Sequence, residues 1–188
     1  MRLGSFYYAM INDWPYRDQK YGTCLIRTTN PFDPRSWRAW DGNGFNVEFI
    51  DPYRVTNAIP AQHVCQPVAP TLFGVDSLSY LQASGVFVAT QMTHDRRFGP
   101  PGVYLNISED LIHWSPPVRL IDTAALAAGE RPGKWDYNYL SILDPASTDR
   151  DFVTITSAPY LYYVRSDMLH PPLTRTLMRR QIRLTVGG

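Results

Sequence analysis

The chain has 188 residues, a formal net charge of +1, an aromatic content of 13% and 16 prolines. This fits a soluble globular protein of short strands punctuated by turns, large enough for one core. The near-neutral charge and the lack of a clustered Lys/Arg field argue against a nucleic-acid partner. No stretch is long and apolar enough to span a bilayer, which argues against a membrane partner.

Residues 1–11 lack the basic start and unbroken apolar run of a signal peptide, so the sequence as given reads as cytoplasmic. A missing start would carry an export signal away with it. Residues 4–11 begin almost at once as an aromatic strand, with no room for a strand before it. Residues 12–21 form a polar connection with Pro15 between Trp14 and Tyr16, and residues 22–28 resume extended structure. Asn30-Pro31 and Asp33-Pro34 mark a turn, because the residue before a proline is pushed out of the helical region. Residues 36–40 run into Asp41-Gly42-Asn43-Gly44, a hairpin signal, before a strand over 45–50. These pieces predict one antiparallel sheet lacking its first member.

A second set follows the proline-bounded loop 59–70. Strands are expected at 78–81, 86–92, 102–107 and 118–121, with a hairpin at 83–85. Residues 122–134, Ala-rich and then Arg-Pro-Gly, read as a crossover to a third set with strands at 137–143, 159–165 and 178–186. Cys24 and Cys65 lie among apolar or strand-like neighbours, do not make a metal-ligand spacing, and read as buried free thiols. The sequence implies no metal and no cofactor.

One unit recurs. Gly22, Leu25, Thr28, Asn30 and Trp37 run in the same order as Gly102, Leu105, Ser108, Asp110 and Trp114, a strand, a turn and a tryptophan repeated at roughly 80 residues. Three blade-like units, about 4–50, 63–122 and 135–186, predict an all-β, partial β-propeller within one domain over 1–188. Each blade is expected to be antiparallel and four-stranded, the first incomplete. Propellers close with about four to eight blades. Three therefore imply the C-terminal part of a longer polypeptide, or closure by self-association or a partner chain. A β-sandwich is the alternative fold, and it accounts less naturally for the spacing of the two Trp-ended units.

Gly102-Val103-Tyr104 with Ser108-Glu109-Asp110-Leu111-Ile112-His113-Trp114 resembles the third blade strand of the five-bladed propeller glycosidases, the arabinanase, xylosidase and fructosidase-like group. The same turn is similar to the Asp-box of sialidases, without that box's usual glycine. Phe6-Tyr7-Tyr8-Ala9-Met10 and Tyr160-Leu161-Tyr162-Tyr163 resemble the group's second blade strand, and residues 139–145 an inner strand. The resemblance implies carbohydrate as partner and glycoside hydrolysis by two carboxylates at a central funnel. The group draws those carboxylates from earlier blades. Its Glu-Cys-Pro acid motif corresponds most closely to Val64-Cys65-Gln66-Pro67, where the acid is replaced. The chain alone is therefore expected not to be catalytically competent, and a non-catalytic carbohydrate-binding or scaffold propeller is the alternative.

Among the carboxylates present, Asp136 and Asp76 are the candidate catalytic groups. Asp136 opens an inner strand between aromatic rings, and Asp76 precedes a hairpin. Each also suits a strand-entry or turn position, as do Asp33, Asp51 and Asp144 before proline. Trp14, Tyr16 and Trp135 are candidates to stack on sugar faces, and His63 and His94 to bond sugar hydroxyls. Arg175, Arg179, Arg180 and Arg183 read as a solvated strand face.

Overall fold

The computed structural model describes residues 1–51, 53–68, 74–93, 98–126, 134–169 and 174–185. These residues are all-β apart from short helical turns, and no sheet closes on itself. The chain divides into two compact units, Met1–Val75 with Leu111–Trp114, and Asp76–Asp110 with Ser115–Gly188.

The first unit is an antiparallel meander of β1 (Arg2–Leu3), β2 (Phe6–Asp13), β3 (Gly22–Thr28), β4 (Arg38–Trp40) and β5 (Phe45–Glu48). Contrary to expectation, a strand does precede β2. Gly4, at φ +58°, takes the left-handed conformation that a two-residue turn needs, and Leu3 pairs with Phe6. β3 is the spine of this sheet. It pairs with β2 from Tyr7↔Thr28 to Asp13↔Gly22, and Thr23, Cys24 and Leu25 are fully buried. Asp41 closes the β4–β5 hairpin by accepting the N–H groups of Asn43 and Gly44, each at 2.8 Å. Cys24, Ala39, Val47 and Cys65 form the core of this unit.

The second unit runs β6 (Ser77–Leu81), β7 (Val86–Thr93), β8 (Gly102–Ser108), β9 (Val118–Asp122), a one-turn helix α1 (Thr123–Leu126), β10 (Trp135–Leu143), β11 (Thr154–Ile155), β12 (Tyr160–Asp167) and β13 (Arg175–Gln181). Its sheets have the orders β11-β6-β7-β8-β9 and β10-β12-β13. The first two sets, expected to be antiparallel and four-stranded with the first incomplete, are five-stranded because short β1 and β11 add edges, and the third holds the three strands expected at 137–143, 159–165 and 178–186. β11 runs parallel to β6. Leu81, Val88, Val103, Leu140, Ile142 and Leu161 build the core.

The last strand lies earlier than the expected 178–186. Its pairing runs from Ser166↔Arg175 to Tyr160↔Gln181, so backbone register with β12 decides the position of an edge strand with little apolar content. Position 186 and the Arg-Pro-Gly at 131–133 lie outside the described residues. No helix among the described residues is long and apolar enough to cross a membrane.

The repeated unit has a shared local geometry. β3 and β8 are each flanked by two antiparallel neighbours, and each ends in a hydroxyl that accepts a backbone N–H two residues on. Asn30 donates to Thr28 Oγ1 at 2.9 Å and Asp110 to Ser108 Oγ at 3.2 Å. Trp114 donates its Nε1–H to Leu111 O at 2.8 Å. Gly102 opens β8 against β9, where an added Cβ would strike Ile121 O and lie 2.9 Å from Asp122 Cα. Gly102→Ala should therefore destabilise the protein by about 1–3 kcal/mol. Gly74→Ala, whose nearest neighbour would be Asn12 Nδ2 at 3.8 Å, should shift stability by about 0.5 kcal/mol or less. Denaturant unfolding of the two variants tests the contrast.

Candidate functional site

The site in the first unit starts where β2 stops. Asp13 pairs with Gly22 as the last rung, and Pro15 then removes a donor and holds Trp14 extended. The Trp14 side chain leaves the ladder, and the residue is 74% exposed. Tyr16 and Gln19 close a tight turn by exchanging backbone bonds at 3.3 and 3.0 Å. Arg17 within it has φ +52°, a left-handed conformation costing a non-glycine residue about 1–2 kcal/mol. Strain of this kind concentrates where a chain presents groups to a ligand. Here it presents Tyr16, 70% exposed, with the Arg17 guanidinium 5.2 Å from the ring centroid.

The facing segment is a 3₁₀ turn, Pro60–Gln62, that ends at His63. His63 Nδ1 lies 2.8 Å from Glu48 O. A carbonyl only accepts, so Nδ1 carries the proton, and in the neutral ring Nε2 remains an acceptor. Backbone bonds from Gln66 N–H to Trp40 O and from Val68 N–H to Thr23 O anchor the segment, at 2.8 and 3.0 Å. Gln19 Oε1 accepts the Cys65 N–H at 3.0 Å.

A disulfide joins Cys24 to Cys65, with Cα atoms 6.0 Å apart, and corrects the expectation of free thiols. The two cysteines are 41 positions apart in sequence. Only the sheet, and the return of the 59–68 segment onto it, brings them together. Asp13 joins them: one ligand-type atom from each of the three residues falls within 4.8 Å of the other two.

Trp14, Tyr16 and His63 line one cavity of about 570 Å³, together with Asp13, Asp18 and Gln19. A second cavity of about 450 Å³ shares Asp18 and Val64 with it and reaches Lys20 and Asp41. Burial pushes the Asp13 carboxyl above the ordinary carboxylate range. Asp41 is held below that range by the Asn46 amide and the turn's N–H groups. The arrangement can stack flat apolar faces on two rings and bond hydroxyls with carboxylates, an amide and an imidazole.

The other candidates lie elsewhere. Trp135 and Asp136 open β10 in the second unit. Trp135 is half-buried, with Arg165 and Lys134 4.1 and 4.4 Å from its ring centroid. Asp136 accepts from Asn138 Nδ2. Asp76 spans the end of β6 and β7, donating its N–H to Thr90 O and accepting the Met92 N–H at 2.9 Å. Burial raises its carboxyl although much of the residue surface stays open. Neither carboxylate lines the cavities just described. His94 lies outside the described residues. Asp33, Asp51 and Asp144 each accept an N–H two residues on, which makes them turn residues. A cavity of about 430 Å³ in the second unit, lined by Leu81, Val88, Leu105 and Leu184 among others, has no titratable side chain among the described residues that line it.

Sequence reasoning missed Asp13, Asp18 and Gln19, which it treated as polar connection. The signal was there in Asp13-Trp14-Pro15-Tyr16-Arg17-Asp18, two carboxylates interleaved with two aromatics. No family model, curated protein or solved structure matches this chain.

Because Asp13 is harder to ionise in the fold, it weakens stability once pH exceeds its folded pKa and has no such effect below the unfolded value of about 3.9. Asp13→Asn should therefore melt at or above the wild-type temperature at pH 7, the difference vanishing near pH 3. Calorimetric scans of the oxidised protein across that range check the sign.

Proposed function

We propose that the chain is a carbohydrate-binding portion of a glycosidase-like five-bladed propeller, and that the Trp14–Tyr16–His63 cavity receives the sugar. The observation that carries this reading is the convergence of two exposed rings, an imidazole acceptor and carboxylates on one cavity of about 570 Å³. That volume lies in the usual range of small-molecule sites. Sugar rings offer an apolar C–H face and a belt of hydroxyls. Trp14 and Tyr16 suit the face; Asp13, Asp18, Gln19 and His63 suit the belt.

The adjoining cavity, sharing Asp18 and Val64, favours an oligosaccharide over a single sugar. The blade reading is supported by β3 and β8, each an inner strand of an antiparallel set and each ending in the same hydroxyl-closed turn. Burial of β3 and β7 on both faces adds to it, since stacked blades enclose their middle strands.

Hydrolysis is the second reading. It is favoured by the raised Asp13 carboxyl in the same cavity as Asp18, because glycoside cleavage needs one carboxyl held protonated beside a second.

Calorimetric titration with arabino-, xylo- and fructo-oligosaccharides tests the proposal. Trp14→Ala and Tyr16→Ala should each weaken binding about tenfold, equivalent to about 1.4 kcal/mol of lost stacking, while far-UV spectra stay unchanged. No binding across the series, or binding indifferent to both substitutions, overturns it. Turnover of aryl glycosides abolished by Asp13→Asn would move the assignment to hydrolysis.

A further inference from the structure

The Cys24–Cys65 pair has a neighbour that a purely structural cross-link does not require. Asp13 Oδ2 lies 3.5 Å from Cys24 Sγ, and ligand-type atoms of Asp13, Cys24 and Cys65 fall within 4.8 Å of one another. Zinc held by thiolate at about 2.3 Å and carboxylate at about 2.1 Å sets its ligands roughly 3.6 Å apart at tetrahedral angles. The Asp13–Cys24 separation already matches that edge.

We infer that, once the disulfide is reduced, Cys24, Cys65 and Asp13 form a Zn²⁺ site. Two thiolates and a carboxylate select zinc over the oxygen-seeking Mg²⁺ and Ca²⁺. Gln19 Nε2 is 3.6 Å from Cys65 Sγ and 3.9 Å from Cys24 Sγ. Its N–H groups serve as outer partners that favour the thiolate form. Asp13 makes no salt bridge among the described residues, so no ion pair competes with a dication for its carboxylate. With three protein ligands, the fourth position is left to water or an incoming oxygen donor.

The disulfide and the metal are alternative states of the same two sulfurs. A trialkylphosphine with water, or a cellular dithiol, supplies two electrons and two protons to break the S–S bond. It leaves as phosphine oxide or cyclic disulfide, and both thiol protons pass to solvent when zinc binds.

Cobalt titration of the phosphine-reduced, desalted protein provides the test. It should show one equivalent bound, with the visible and charge-transfer bands of a tetrahedral thiolate site, displaced by zinc. The oxidised protein should show none. Cys24→Ser should lose the bands, and Asp13→Asn should weaken binding by more than about 100-fold, the upper end of what an outer partner costs. Zinc should also raise the melting temperature of reduced wild type and not that of reduced Asp13→Asn. Absence of stoichiometric metal in the reduced protein overturns the site. So does wild-type affinity in either variant, or binding only by a reduced chain without β-sheet ellipticity. None of these readouts depends on sugar binding.

Discussion

The first unit depends on the attachment of the 59–68 segment to β3. The Cys24–Cys65 bond supplies it covalently, and Gln19 reinforces it by accepting the Cys65 N–H. Closing a loop of some forty residues removes conformational freedom from the unfolded chain, an effect of about 4 kcal/mol in the chain-entropy account. That matters here because, among the described residues, the buried apolar cluster around the bond holds only Cys24, Ala39, Val47 and Cys65, with Ile26 packed against it. A small core gains most from a cross-link, since it has little apolar area to set against chain entropy.

Attachment of that segment also makes the candidate site. His63 ends a 3₁₀ turn whose position follows from the bonds of Gln66 to Trp40 and Val68 to Thr23. The opposite wall comes from a hairpin extension that Pro15 starts and a left-handed Arg17 tightens. Rigid strands thereby carry irregular loops whose side chains point to solvent, which is where binding groups concentrate. The carboxylates divide by environment: Asp13 is raised by burial, and Asp41 is lowered by the donors of its own turn.

The second unit stays closer to its sequence pattern. β7 and β8 have buried residues on both faces, and the polar ones bond one another inside. Gln91 donates to Asn106 at 2.9 Å, and Asn106 donates to Ser115 O at 2.7 Å, closing the turn after β8. The strand expected at 102–107 is present as β8. Asn106 is fully buried and lies with Tyr104 on the face opposite Val103, Leu105 and Ile107. The exposed Tyr139 shows the reverse case, since a bulge between Asn138 and Ser141 turns it out of register.

Local chemistry in the sequence was enough for strand content, most turns and the repeated strand with its hydroxyl-closed turn. Alternating apolar residues, Asp-Pro and Asp-Gly steps and the Gly85 turn act over a few residues and need no distant partner. It also singled out Trp14, Tyr16 and His63, three groups that share one cavity. Tertiary structure alone decided the rest. The disulfide, the nearness of Asp13 to it, the parallel β11 edge and the position of β13 come from pairings between distant segments, and a pairing partner leaves no mark in the residues nearby.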